Sequence, residues 1–147
     1  MIFRDAVPAD LPAILALMAD DILGASREIP CGPQHKKALA DITADPRNRM
    51  IVVEREGELI GCAQLTYIPG LSRNASERAL IESVRIRSDL RGQGLGQQLF
   101  EWLIAEATAH GCTLVQLTTD KRRTDAHRFY DRLGFTKSHE GYKLTVG

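Results

Sequence analysis

The stretch Arg91-Gly92-Gln93-Gly94-Leu95-Gly96 constrains this chain more than any other. Before it, Leu80 to Ile86 alternates as a strand does, with Leu80, Glu82, Val84 and Ile86 on one face and Ile81, Ser83 and Arg85 on the other. After it, Leu95, Leu99, Leu103 and Ala107 recur at helical spacing with Phe100 and Ile104 beside them, and Gly111 is placed to end that helix as a left-handed cap. A glycine turn that leads from a strand into a helix leaves backbone N–H groups without intrahelical partners, and the helix dipole adds positive potential at the same place. Glycine lets an anion reach the main chain with no Cβ in the way. Arg91 supplies a charge-assisted donor. The local physics predicts a diphosphate held here.

Two common diphosphate carriers fail on detail. A Walker loop ends in Gly-Lys-Ser/Thr, whereas Gly96 is followed by Gln97 and Gln98. A dinucleotide fingerprint wants Gly or Ala three residues after Gly94 or Gly96, and those positions are Gln97 and Leu99. It also wants an acid some twenty residues on, for which Gln116 and Asp120 are poor matches.

The rest of the chain reads as alternating strands and helices. Ile2 to Ala6 is a short strand, and Asp10 can cap a helix carrying Leu11, Ile14, Leu15, Met18 and Ile22 on one face. Leu23 to Pro33 reads as a loop, and Gln34 to Thr43 as a shorter helix ended by Asp45-Pro46. Met50–Arg55 and Leu59–Ile68 form a hairpin around Glu56-Gly57, and Ser72 to Arg78 is a polar loop. Leu114–Thr119 is a strand and Asp125–Leu133 a helix stopped at Gly134. Phe135–Ser138 and Tyr142–Val146 read as a final hairpin. The expected fold class is α/β (α+β): a mixed, mostly antiparallel sheet of about seven strands with helices on both faces, in a single domain over residues 1–147.

Bulk properties narrow the partners. Lys plus Arg and Asp plus Glu both number 19, so no basic excess points to nucleic acid. The N-terminal Met1-Ile2-Phe3-Arg4-Asp5 lacks the apolar run of a signal peptide, and no stretch reaches the roughly 20 apolar residues of a membrane span. Cys31, Cys62 and Cys112 are odd in number and form no C-x-x-C pair, which predicts reduced thiols and a cytoplasmic setting. His35, His110, His127 and His139 show no metal spacing, so no metal is expected, and Trp102 reads as partly buried packing.

Arg-Gly-x-Gly-x-Gly after Val84-Arg85-Ile86 resembles the acetyl-CoA loop of the GNAT (Gcn5-related N-acetyltransferase) superfamily, and Ala126-His127-Arg128-Phe129-Tyr130-Asp131-Arg132-Leu133-Gly134-Phe135 resembles its Ala-x-x-Phe-Tyr-x-x-x-Gly-Phe signature. The element order agrees along nearly the whole chain. The resemblance implies splayed fourth and fifth strands, here Leu80–Ile86 and Leu114–Thr119, with the pantetheine arm of acetyl-CoA between them. It implies main-chain bonds from Val84 and Ile86 to that arm, and main-chain N–H groups of Arg91, Gly92, Gln93, Gly94, Leu95 and Gly96 on the pyrophosphate. It extends the cofactor-binding set to Arg85, Gln97, Arg123, Ala126, Phe129 and Tyr130. By the same resemblance, Val84 N–H would face the thioester oxygen, Tyr130 would protonate the departing thiolate, and Glu82 would accept the amine proton through water. Each has a plainer counterpart: Tyr130 as ring packing, Glu82 as a solvated strand residue. At Arg123 the family often has Asn; the cluster Lys121-Arg122-Arg123 either reaches the 3′-phosphate of CoA or is solvated surface.

The resemblance leaves the amine acceptor open and lines its pocket with Leu23 to Pro33, the strand end near Tyr67, and His139 to Tyr142. A homodimer is the favoured assembly. The rival readings are a non-catalytic acyl-CoA-binding or sensory module of the same fold and an acetyltransferase acting on charged tRNA, which the neutral charge disfavours.

Overall fold

A computed structural model describes residues 1–20 and 30–147. The chain divides into two compact units, Met1–Gln116 and Leu117–Gly147, and each is described by itself. The elements in order are β1 (Ile2–Asp5), α1 (Leu11–Ala19), α2 (Pro33–Ala44), β2 (Asn48–Arg55), β3 (Glu58–Ile68), the one-turn α3 (Ser72–Ala75), β4 (Arg78–Ile86), α4 (Leu95–His110), β5 (Leu114–Leu117) and α5 (Thr124–Arg132). The strands form one sheet in the order β1-β2-β3-β4-β5.

The pairings β1–β2, β2–β3 and β3–β4 are antiparallel. The β2–β3 hairpin turns through Glu56 (φ 53°) and Gly57 (φ 80°), two left-handed residues whose twist matches that of the strands they join. At the other side of the sheet, Thr113 N–H donates to Glu77 O at 3.0 Å, immediately before β5 and β4 begin. The two strands therefore start side by side and run the same way, which makes the sheet mixed.

Strand alternation sorts the core into two layers. Met50, Val52 and Cys62 pack with Leu11, Ile14 and Leu17 of α1 and Leu39 of α2 on one face. The odd positions of β2 face α4: Arg49 bonds Glu106 at 2.8 Å and its guanidinium lies 5.6 Å from the Trp102 ring. Phe3 stacks on Trp102 at 5.5 Å, and Leu99, Phe100, Leu103 and Ala107 of α4 are buried. Helices thus cover both faces, and Trp102 packs as expected from the sequence.

Several expectations need correction. Five strands form among the described residues, not about seven, because residues 135–147 adopt no strand. Tyr142, Leu144 and Val146 are 96%, 86% and 90% exposed, so no buried face fixes a register for the expected final hairpin. Asp10 precedes α1, but its carboxylate turns backwards: Val7 N–H donates to it at 2.8 Å and the Arg4 guanidinium grips it at 2.8 and 3.0 Å. The Ser72–Arg78 loop contains a left-handed turn, with Arg73, Asn74 and Ala75 at φ 55°, 60° and 57°, and Arg78 already belongs to β4. Ile22 and residues 23–29 of the expected loop lie outside the described residues, and Pro33 opens α2.

Candidate active site

The site begins with a defect in β4. Cys62 of β3 pairs with Arg85 and Gln64 with Glu82, so the single residue Ala63 stands opposite both Ser83 and Val84. This is a β-bulge, and its extra residue leaves the hydrogen-bonded ladder. Ser83 takes φ 53°, a left-handed conformation that costs an L-residue roughly 1–2 kcal/mol. A bulge reverses the alternation beyond it. Glu82 therefore shares its face with Arg85, while Ile81 and Ile86 point to the α4 face. The alternation read from the sequence, which put Glu82 with Ile86 and Arg85 opposite, holds only up to the bulge.

Glu82 is exposed, Val84 and Arg85 are half-buried, and Arg85 Nη1 donates to Val84 O at 3.0 Å. The Cys62 thiol donates to Ser83 O at 3.7 Å beneath the bulge. Burial pushes that thiol up to about 12, so Cys62 is a protonated core residue and not a nucleophile.

A turn, Ser88–Leu90, leads from β4 to the glycine loop. Gly92 and Gly94 have φ 79° and 80°, and a Cβ built on either would meet nothing within 4 Å. Backbone conformation and not crowding therefore requires glycine, and the space beside both residues is open. Gly94 caps α4 without any side-chain hydrogen bond, and the first intrahelical bond runs from Gln98 N–H to Gly94 O at 3.2 Å. The N–H groups of Leu95, Gly96 and Gln97 point out of the first turn with no helical acceptor. The loop fits a diphosphate in chemistry and in space.

One residue of this region escaped the sequence reading. Asp20, which ends α1, accepts Ser88 N–H at 2.8 Å and Ser88 Oγ–H at 2.9 Å, and its carbonyl accepts Arg91 Nη2 at 3.1 Å. The Ser88 hydrogen bonds hold the Asp20 carboxyl below the usual carboxylate range. No motif marks this residue; a contact spanning about seventy positions leaves no periodic signal.

The remaining expected residues lie on α5, in the second unit. Tyr130 is half-buried, with its ring edge-on to Phe129 at 5.5 Å and to Phe135 at 6.0 Å, and Phe135 N–H donates to Tyr130 O at 3.1 Å. Arg123 caps α5, its carbonyl accepting Ala126 N–H and His127 N–H at 3.1 and 3.2 Å. In the adjoining basic run, Arg122 pairs with Asp120 through two contacts of 3.0 Å and Lys121 lies 3.7 Å from Glu140. Much of the positive charge there is neutralised locally. Among the described residues no group of three or more His, Cys, Asp or Glu could hold a metal, and no helix is long and apolar enough to cross a membrane.

Comparison with known proteins gives this geometry its place. A model described as the acetyltransferase (GNAT) family matches residues 16–135, across β4, the glycine loop and the α5 signature. The chain belongs to the acetyltransferase (GNAT) family. It is 35% identical over 95 residues to an aminoalkylphosphonate N-acetyltransferase of Salmonella typhimurium, covering 65% of this chain and 61% of that enzyme. It is 31% identical over 136 residues to an L-methionine sulfoximine/L-methionine sulfone acetyltransferase of Pseudomonas aeruginosa, covering 90% of this chain and 78% of the relative. Among solved structures, a transcriptional regulator from Bacillus halodurans matches with TM-score 0.95 and 43% identity over 99% of both chains. A putative acetyltransferase from Agrobacterium tumefaciens matches with TM-score 0.89 and 28% identity, over 99% of this chain and 100% of that one. GNAT enzymes generally use acetyl-CoA, and N-acetyl transfer is the class of activity this GNAT chain carries.

Proposed function

We propose that this GNAT domain, read as one domain over both units, moves the acetyl group of acetyl-CoA to the primary amine of a small acid-bearing acceptor by direct attack. The observation that carries the reading is the uncapped start of α4, where left-handed Gly92 and Gly94 leave bare N–H groups beside open space. There the main chain from Arg91 to Gly96, with Gln97 behind it, would take the pyrophosphate. The pantetheine arm would run along Val84, Arg85 and Ile86 toward β5, with Ala126 and Phe129 contributing from α5. Arg123 stands where the family often has Asn, and we assign it contact with the carrier.

In the reaction the amine nitrogen forms a bond to the thioester carbonyl carbon while Glu82, through water, takes the proton the amine must lose. Val84 N–H, at the bulge, stabilises the oxyanion. The C–S bond then breaks and Tyr130 gives its proton to the CoA thiolate. No covalent enzyme intermediate and no metal enters this scheme.

Two observations support an acid-bearing amine. The bulge brings Glu82 and Arg85 onto one face, a carboxylate and a guanidinium that match an ammonium and an acid group in one small molecule. The relatives named above, with a phosphinothricin N-acetyltransferase of Alcaligenes faecalis that is 36% identical over 100 residues, bear names of small amino compounds carrying phosphonate, phosphinate or sulfur–oxygen groups. The non-catalytic module has no observation in its favour. We place the protein in the cytoplasm, with acetyl-CoA and the amine as its partners, no nucleic acid or membrane, and a homodimer as its assembly. The test is release of CoA thiol against a panel of aminophosphonates, amino acids and uncharged amines, beside calorimetric titration of acetyl-CoA. Turnover with acid-bearing amines is expected; absence of acetyl-CoA binding would remove the whole reading.

A further inference from the structure

The sheet face that carries Glu82 holds polar side chains from β2, β3 and β4, all within the first unit. Asn48 pairs with Thr66, Gln64 with Glu82, and Cys62 with Arg85. Residues directly opposite in a ladder share a face, with Cβ atoms about 4.5–5.5 Å apart. On either side of the middle pair the polar groups are already satisfied. Thr66 Oγ1 donates to Asn48 Oδ1 at 2.9 Å, and Asn48 Nδ2 donates to Asp45 at 2.9 Å. The Cys62 thiol donates to Ser83 O, and Arg85 Nη1 to Val84 O.

Gln64 and Glu82 break this pattern. Among the described residues neither side chain makes a hydrogen bond or an ion pair. Their row also crosses from core to open surface. Met50, opposite Gln64 on β2, lies in the core beneath α1 and α2, Gln64 is half-buried and Glu82 is exposed. A polar group with no partner in a half-buried place costs stability unless water or a ligand satisfies it. A carboxamide turns its oxygen toward a donor, and a carboxylate accepts at both oxygens. Side by side they form a two-acceptor seat, and an ammonium with its three N–H donors is the group that fits it.

We infer that Gln64 is an acceptor-binding residue that holds the amine beside Glu82. Gln64 Oε1 accepts one N–H of the incoming ammonium. A second hydrogen leaves toward Glu82 through water, and the freed lone pair attacks the thioester carbonyl. Gln64 makes its bond before and after the proton leaves, so it binds the ground state and the transition state alike and selects for the amino group. The inference rests on the acetyl-transfer reading and on Glu82 as proton acceptor.

The test compares wild type with Gln64→Met and Gln64→Leu, both of which delete the amide and keep an apolar stem. Phosphinothricin, L-methionine sulfone and aminomethylphosphonate serve as acceptors, and the one turned over fastest is carried through. The matching acid without its amino group serves as competitive inhibitor. Expected is a roughly 10- to 100-fold rise in acceptor KM, with kcat and acetyl-CoA affinity little changed. Inhibition by the analogue without the amine should be the same in wild type and variants, which a general distortion of the pocket would not spare. Cooperative thermal unfolding checks that each variant is folded. An unchanged acceptor KM in a folded variant would overturn the assignment, as would an equal loss of affinity for the analogue. Failure of both variants to fold would make Gln64 a packing residue and overturn it too. A wild-type protein that acetylates none of the three amines would instead remove the reading beneath it, so the two failures are told apart.

Discussion

Substituting alanine at the two ends of α4 separates the backbone role of glycine from its ligand role. Gly94 and Gly111 both have left-handed φ, 80° and 105°, and at neither would a new Cβ meet an atom within 4 Å. The cost to the folded chain is therefore conformational in both, roughly 1–2 kcal/mol for an L-residue forced into this region. At about 2–4 °C per kcal/mol for a chain of this size, Gly94→Ala and Gly111→Ala should each lower Tm by roughly 2–8 °C. Only Gly94 also stands at the start of α4, next in sequence to the Leu95, Gly96 and Gln97 N–H groups that have no helical acceptor. Weakening one charge-assisted hydrogen bond there costs about 1.5–3 kcal/mol, or roughly 10- to 150-fold in acetyl-CoA affinity. Differential scanning calorimetry gives the first quantity and isothermal titration the second, both measured well below Tm. If Gly94→Ala lost stability as forecast yet bound acetyl-CoA as tightly as Gly111→Ala, the phosphate would not lie against this turn and the reasoning would be refuted.

Tyr130→Phe should lower kcat by about 10²–10⁴-fold with little change in acetyl-CoA affinity, as expected of a group that gives up a proton in the transition state; unchanged steady-state turnover would end the acid assignment. Glu82→Gln should remove the acid limb of the kcat/KM–pH profile, and a profile that keeps this limb would reassign the base. The Arg4 and Val7 hydrogen bonds hold the Asp10 carboxyl below its ordinary range, so its folded pKa lies below the unfolded one near 4. Its stabilisation is fully present above that unfolded value and fades as pH falls through the lower, folded value. Asp10→Ala should therefore cost about 1–3 kcal/mol in urea unfolding at pH 7 and less at pH 3; an equal loss at both would show that the charge is not what matters.

Local signals in the sequence carried most of the frame. The turns at Glu56-Gly57 and Gly94, the cap at Gly111, the stop at Asp45-Pro46 and the helical stripe of α4 each depend on residues a few positions apart, and the structure has each where the sequence put it. The helices on both faces and the antiparallel hairpin follow from the same periodicities. What failed depended on distant partners. Alternation along β4 could not show that Ala63, some twenty residues earlier, would face two residues, so the side of the sheet on which Arg85 lies was misread.

By itself, then, the amino-acid sequence determined the order of the strands and longer helices as far as α5, the glycine turn before α4 and the GNAT membership, since bond rotations, periodicity and helix-end amides are properties of neighbouring residues. The tertiary structure alone decided the bulge that sets Glu82 and Arg85 on one face and the Asp20 tie to Ser88 and Arg91. Each of these needs a partner far along the chain, and a strand pattern states only that a face wants covering, never what will cover it.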